Sequence, residues 1–225
     1  MSRLTFFIAI IFLNATALSA TKPHTVTFGK WATVKWFIGH DENQPLDLKI
    51  RPLYVDGHTK EYTTGPVHEI TEALFVVRRA FRVNDTLAED KAIQPRWEWE
   101  RGAWLLVDKR SARISQILLP EFDTYFSAAS WYRDYVAYCG VSDDGDKLYQ
   151  IVAQLGRRRP VLKKTISKSF AGEMPDSACT EPIWQRQPAR VTFLTDTDGK
   201  STFEVRGHAV NLITTEEEQG EPGNE

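Results

Sequence analysis

Flat aromatic and cationic side chains carry most of the chemistry this chain offers. Trp97 and Trp99 alternate with Glu98 and Glu100 in the run RWEWER (96–101), and Trp104 follows closely. Trp131-Tyr132 abuts Arg133-Asp134. Tryptophan and tyrosine faces on a sheet stack on sugar rings or bases, or anchor a protein interface. The competing role is core packing, because tryptophan is mostly buried in folded chains. A second feature is basic. Arg157, Arg158, Arg159, Lys163, Lys164 and Lys168 place six positive charges in twelve residues with no acid among them. On a hairpin end they form a local field able to hold phosphate or carboxylate polymers. The same residues also suit a sheet edge guarded against strand pairing.

Other chemistries are poorly represented. There is no G-x-S-x-G, and Ser130 in Ala-Ala-Ser-Trp-Tyr lacks the glycines of a nucleophile elbow. His68-Glu69 is not followed by the second histidine of a zinc protease helix. The acidic loops at 142–146 (SDDGD) and 196–199 (DTDG) miss the calcium-loop pattern and read as hairpin turns, which favour Asp and Gly. No glycine-rich loop opens a helix to cradle phosphate. Glu98 and Glu100 sit two apart on one strand and so point the same way, whereas the acids of a glycosidase flank the bond from opposite sides. No cofactor and no metal are expected.

The N-terminus supplies an address. MSRLTFFIAIIFLNATALSA (1–20) has a basic start, an apolar stretch from Leu4 to Leu13 and small residues around 15–20. That is the pattern of a cleaved export signal. The stretch is shorter than the ~20 apolar residues of a membrane span, so none is expected after cleavage. Export to the periplasm or medium changes how Cys139 and Cys179 are read, because thiols cross-link in oxidising compartments. With only two cysteines, the candidate bridge is Cys139–Cys179. The tail 216–225 carries five glutamates and no lysine or arginine, and reads as a disordered, solvating end.

The elements that must position these groups are strands. Candidate strands are Thr25–Phe28, Trp31–Ile38, Leu46–Val55 (its far end weakened by Pro52), Leu74–Val83, Arg96–Arg101, Trp104–Val107 and Arg113–Leu119. Tyr132–Val141 and Lys147–Leu155 flank a strong turn, and Arg190–Thr195 and Ser201–Arg206 flank another. Val210–Ile213 is a candidate last strand. WLLVDKRSARISQIL from Trp104 is echoed by YQIVAQLGRRRPVLK from Tyr149, 45 residues on, within the range of a propeller blade.

With 225 residues, 42% hydrophobic and 26% charged, the chain is long enough for one generous domain and too apolar for general disorder. The expected fold is all-β: an antiparallel, blade-like (propeller-like) β-meander or sandwich. It forms a single domain, 21–213, between a signal peptide (1–20) and a disordered acidic tail (214–225). The expected function is an exported, non-catalytic binding or interaction module of the cell envelope. Its partner is a glycan, an anionic polymer or another protein, and nucleic acid is not expected. The candidate contact residues are Trp97, Trp99, Trp131, Tyr132, Arg133, Arg157, Arg158, Arg159, Lys163 and Lys164. The alternatives are a carbohydrate-active hydrolase using strand-borne carboxylates and a purely structural envelope domain.

Overall fold

The computed structural model describes residues 23–37, 45–84, 86, 94–166, 179–195 and 199–216, without the side chains of 214–216. Residues 1–20, Lys168, most of the 196–199 turn and the residues beyond 216 lie outside the described residues.

The described chain is all-β and antiparallel in all but one pairing. Three strands lead: β1 (Val26–Phe28), β2 (Ala32–Trp36) and β3 (Leu46–Val55). Three four-stranded meanders follow. The first is β4 (His58–Glu69), β5 (Leu74–Asn84), β6 (Trp97–Asp108) and β7 (Arg113–Ile117). The second is β8 (Ala129–Tyr132), β9 (Tyr135–Val141), β10 (Leu148–Gln154) and β11 (Leu162–Thr165). The third is β12 (Ile183–Gln185), β13 (Arg190–Thr195), β14 (Gly199–Arg206) and β15 (Ala209–Glu216).

The 45-residue echo therefore has a structural meaning. Both copies are the third and fourth strands of successive meanders, β6–β7 and β10–β11. A third copy exists as β14–β15, but its turn is only Gly207-His208, and the changed spacing hides it from the sequence.

The first meander is extended by the leading strands. β3 pairs with β4, and β2 bridges to β6 in parallel at Trp36↔Trp99. Strands β2-β3-β4-β5-β6 thus form a ring of pairings. Pro52 is tolerated in β3 for a specific reason. Its carbonyl accepts from Gly29 N at 2.9 Å, so its missing N–H falls at the break between β1 and β2, where no ladder bond is due. Gly102 does not end a strand either; β6 runs through it, and an added Cβ would lie 3.1 Å from the Phe81 ring.

The second meander is buried on both faces, which explains its nearly continuous apolar strands. Val136, Tyr138, Ile151 and Ala153 face Leu119, Phe122 and Trp131 on the side of the first sheet. Ala137, Cys139, Leu148 and Val152 face Val191, Phe193, Phe203 and Val205 of the third. The outer face of the third meander carries polar pairs, Arg190 beside Glu204 and Thr192 hydroxyl to Thr202 hydroxyl at 3.0 Å, alongside exposed Ile183 and Leu194. Cys139 of β9 is joined to Cys179, just before β12, with Cα atoms 6.3 Å apart.

Tyr138 shows how this packing couples to pH. It is fully buried, and its hydroxyl donates to Pro120 O at 2.7 Å. Burial lifts its phenol far above the usual value near 10, and Glu121 adds to the lift. Above pH 10 the unfolded chain ionises this group and the folded chain does not, so stability drains away as pH rises. A paired comparison isolates the tyrosine. Wild type should lose about 1.4 kcal/mol more per pH unit above pH 10 than Tyr138→Phe, read from denaturant unfolding between pH 8 and 11.5. Parallel slopes in the two proteins would contradict the buried phenol.

Candidate functional site

An open groove of about 790 Å³ lies where the three meanders meet. Its sides come from the end of β4 (His68, Glu69), from β8 and the turn after it (Ser130 to Arg133), and from the β12 region (Glu181 to Gln187).

Strand alternation makes β8 the hinge of this arrangement. Trp131 pairs with Val136 and so turns toward the first sheet. There it meets the Trp104 ring edge-on at 5.4 Å and lies near-parallel to His68 at 6.1 Å. Tyr132 pairs with Tyr135 and turns toward the third meander. It stacks on Trp184 with centroids 5.4 Å apart and planes inclined by 29°. Neighbouring aromatics in sequence thus form two contacts on opposite sides of one strand, not a single continuous platform.

Hydrogen bonds fix these rings. Trp184 Nε1 donates to Ser130 O at 3.0 Å, and Tyr132 hydroxyl donates to Arg186 O at 3.2 Å. Tyr135, which flanks Trp184 at 6.5 Å, donates its hydroxyl to Gly207 O. Burial pushes its phenol up, with the Asp134 carboxylate adding to the effect.

Arg133-Asp134 is a turn feature. The two residues connect β8 to β9, and Arg133 takes a left-handed backbone with φ of 53°. His68 Nε2 holds the Arg133 carbonyl at 2.8 Å, tying the turn to the first sheet. The Arg133 guanidinium lies 5.3 Å from the Tyr132 ring. Asp134 accepts from Gln154 Nε2 at 2.8 Å.

The other candidates are placed elsewhere. Trp97 is 53% exposed at the start of β6, and Trp99 packs edge-on against Tyr62 at 5.1 Å. Arg82 lies over both rings, at 5.5 and 5.7 Å. They form a separate small surface, five to seven residues (roughly 17–23 Å) along β6 from Trp104. Trp104 itself is buried.

The basic run is divided by the sheet. Arg157, Arg158 and Arg159 are exposed in the connection after β10. Lys163 and Lys164 are consecutive on the edge strand β11 and therefore face opposite ways. Lys163 pairs with Glu121 and lies over Tyr149, while Lys164 lies 5.9 Å from Phe203. The lysines sit where they guard an edge. Glu98 pairs with Arg96, and Glu100 accepts from the Tyr125 hydroxyl.

Trp184 and Arg186 are groove residues that the sequence reading did not single out. The signal available was EPIWQRQP (181–188), a lone tryptophan held between two prolines and flanked by polar side chains. No protein-family model matches the chain, and no curated protein matches it.

Proposed function

We propose that this is an exported, non-catalytic binding module whose three-meander groove takes a neutral glycan. The observation that carries this reading is the Tyr132–Trp184 stack beside Arg133 and Arg186 at an open groove. Aromatic faces with polar side chains at their rims suit a ligand with apolar ring faces and hydroxyl edges. Charge also separates the candidate ligands. Arg133 and Arg186 are matched by Glu69 and Glu181 around the same groove. That leaves no single-sign field to gather a polyanion. The leader pattern at 1–20 and the joined cysteines support export.

The test is a tryptophan-fluorescence titration of residues 21–225 against neutral envelope glycans and polyanions, at low and high salt. A saturable, salt-insensitive response to a neutral glycan, recovered intact, is expected. A response confined to polyanions and abolished by salt would move binding to the 157–164 strip, and cleavage of the glycan would make the protein a hydrolase.

A second reading has its own observation. β8 and β12 are both edge strands bordering the groove, and Ile183 of β12 is 58% exposed. An extended peptide would add to such an edge by backbone hydrogen bonds.

A further inference from the structure

A second cavity, of about 320 Å³, lies beside the ring closure of the first sheet. Arg78 of β5 and Arg101 of β6 both line it, with Trp104, Tyr125 and Phe126 among its walls. Arg78 is only 8% exposed. Its Nε donates to Gly102 O at 3.2 Å and its Nη2 to Thr124 O at 2.5 Å. Arg101 donates from Nη2 to Tyr125 O at 2.9 Å, and its guanidinium lies 3.9 Å from the centre of the Trp36 ring.

These bonds use three of the ten N–H donors that two guanidinium groups carry. Arg101 Nε is buried and has no partner among the described residues. Neither arginine forms an ion pair among the described residues, although five other arginine and lysine side chains nearby in the sequence or fold do so. The two cations also repel. Burial lowers the Arg78 guanidinium to about 10, the Arg101 charge lowers it as well, and only Asp123 draws it back. Asp123 is already engaged, its Oδ1 accepting from the backbone N–H of Tyr125 and Phe126 at 2.7 and 2.9 Å. Glu100 is held by the Tyr125 hydroxyl. Among the described residues the one acid lining the cavity is Glu181, which is exposed.

A buried guanidinium (Arg78) beside a half-buried one (Arg101), with Arg101 Nε buried and unpartnered among the described residues and the remaining free donors open to the cavity, is an arrangement that an anion in the cavity would complete. The two planar forks match the oxygens of a carboxylate or phosphate, and the aromatic walls strengthen such a contact by excluding water. We infer that this cavity binds one small molecule through a single oxyanionic group, phosphate or carboxylate, gripped between Arg78 and Arg101. The cavity shares Glu181 with the groove, but the inference rests on the two arginines and does not depend on the glycan reading.

The test uses the whole mature chain, with inorganic phosphate, acetate, a hexose phosphate and a hexuronic acid as probes. Ionic strength is held constant with sodium chloride. Melting temperature and indole fluorescence are both read, since Trp36 and Trp104 adjoin the two arginines. A saturable rise in melting temperature with at least one probe is expected. The stronger of the hexose phosphate and the hexuronic acid identifies the group taken. Arg101→Gln should weaken the affinity at least tenfold, and Arg101→Lys, which keeps the charge without the fork, should weaken it several-fold. Glu181→Gln should tighten it several-fold by removing a like charge from the rim. Arg157→Gln/Arg158→Gln should leave it unchanged. If the arginines serve only to hold the 121–128 segment, Glu181→Gln has no effect on anion affinity. Absence of saturation with all four probes, or equal affinity in wild type and Glu181→Gln, overturns the inference even if the Arg101 variants do not fold.

Discussion

Replacing Cys139 and Cys179 together by alanine should lower the unfolding free energy by about 3–4 kcal/mol. The bridge closes a 40-residue loop, and loop closure in the unfolded chain is where most of its effect arises in the chain-entropy model. What it joins makes the effect global. Cys139 lies in β9 within the apolar layer between the second and third meanders. Cys179 forms a backbone bridge with Thr195 at the end of β13. The bond therefore ties the two layers across a loop that contains β10 and β11, the second half of the second meander. For a chain of this size the loss corresponds to a fall of roughly 6–16 °C in melting temperature. Denaturant unfolding of the two proteins measures it. A difference below about 1 kcal/mol would mean that the interlayer packing of Val152, Val191, Phe193 and Phe203 already holds the layers without the bridge.

Trp184→Ala should weaken glycan binding by about 30-fold or more, the scale of an interface anchor worth 2 kcal/mol. The indole is half-buried, so its loss costs stability far less than removal of a core aromatic does. It removes the stack on Tyr132 and the bond to Ser130 O in one step. Trp184→Phe separates the two, since it keeps a flat face and loses the N–H. Binding by ring stacking predicts that Phe retains most of the affinity. Trp97→Ala is the matched control on the separate Trp97–Trp99–Arg82 surface, and it should leave binding unchanged. If Trp97→Ala abolishes binding and Trp184→Ala does not, the ligand sits on that surface and the groove is structural.

The sequence made the strands legible wherever local chemistry and tertiary demand agreed. The Ser142–Asp146 turn between β9 and β10 is one such place, and β13 is another; β5 is ambiguous, because Val67, Ile70, Leu74, Val77 and Phe81 also fit a helical spacing. It failed where a residue answers to a neighbour distant in the chain. β4, HTKEYTTGPVHE, is too polar and too interrupted to read as a strand, yet β3 and β5 pair with it on both sides. Its Gly65-Pro66 falls within a shift of register between Thr64 and His68, where the ladder is already broken. Tyr132–Val141 reads as one strand but is two, folded back at Arg133. Gly140 is another case. An added Cβ would lie 2.9 Å from the Glu121 backbone oxygen, a contact no local pattern announces.

The candidate site was half legible. Trp131, Tyr132 and Arg133 do line the groove, while Trp97, Trp99 and the 157–164 run lie apart from it. Their partners His68 and Trp184 come from 63 residues before Trp131 and 52 after Tyr132, and only the fold brings them in. The paired arginines were less visible still. Arg78 and Arg79 are adjacent in FVVRRAF, but Arg79 pairs with Glu61 while Arg78 is turned inward. Nothing in the two-residue string says which arginine faces the interior.

The most direct test of the groove is a residue-resolved one. Each of the seven tryptophans gives a separate indole N–H signal in a proton–nitrogen correlation spectrum. On titration with the neutral glycan that saturates fluorescence, the Trp184 and Trp131 signals should shift together along one binding curve. Trp31, Trp36, Trp97 and Trp99 should stay in place. A saturable shift of Trp97 and Trp99 with Trp184 unmoved would contradict the account.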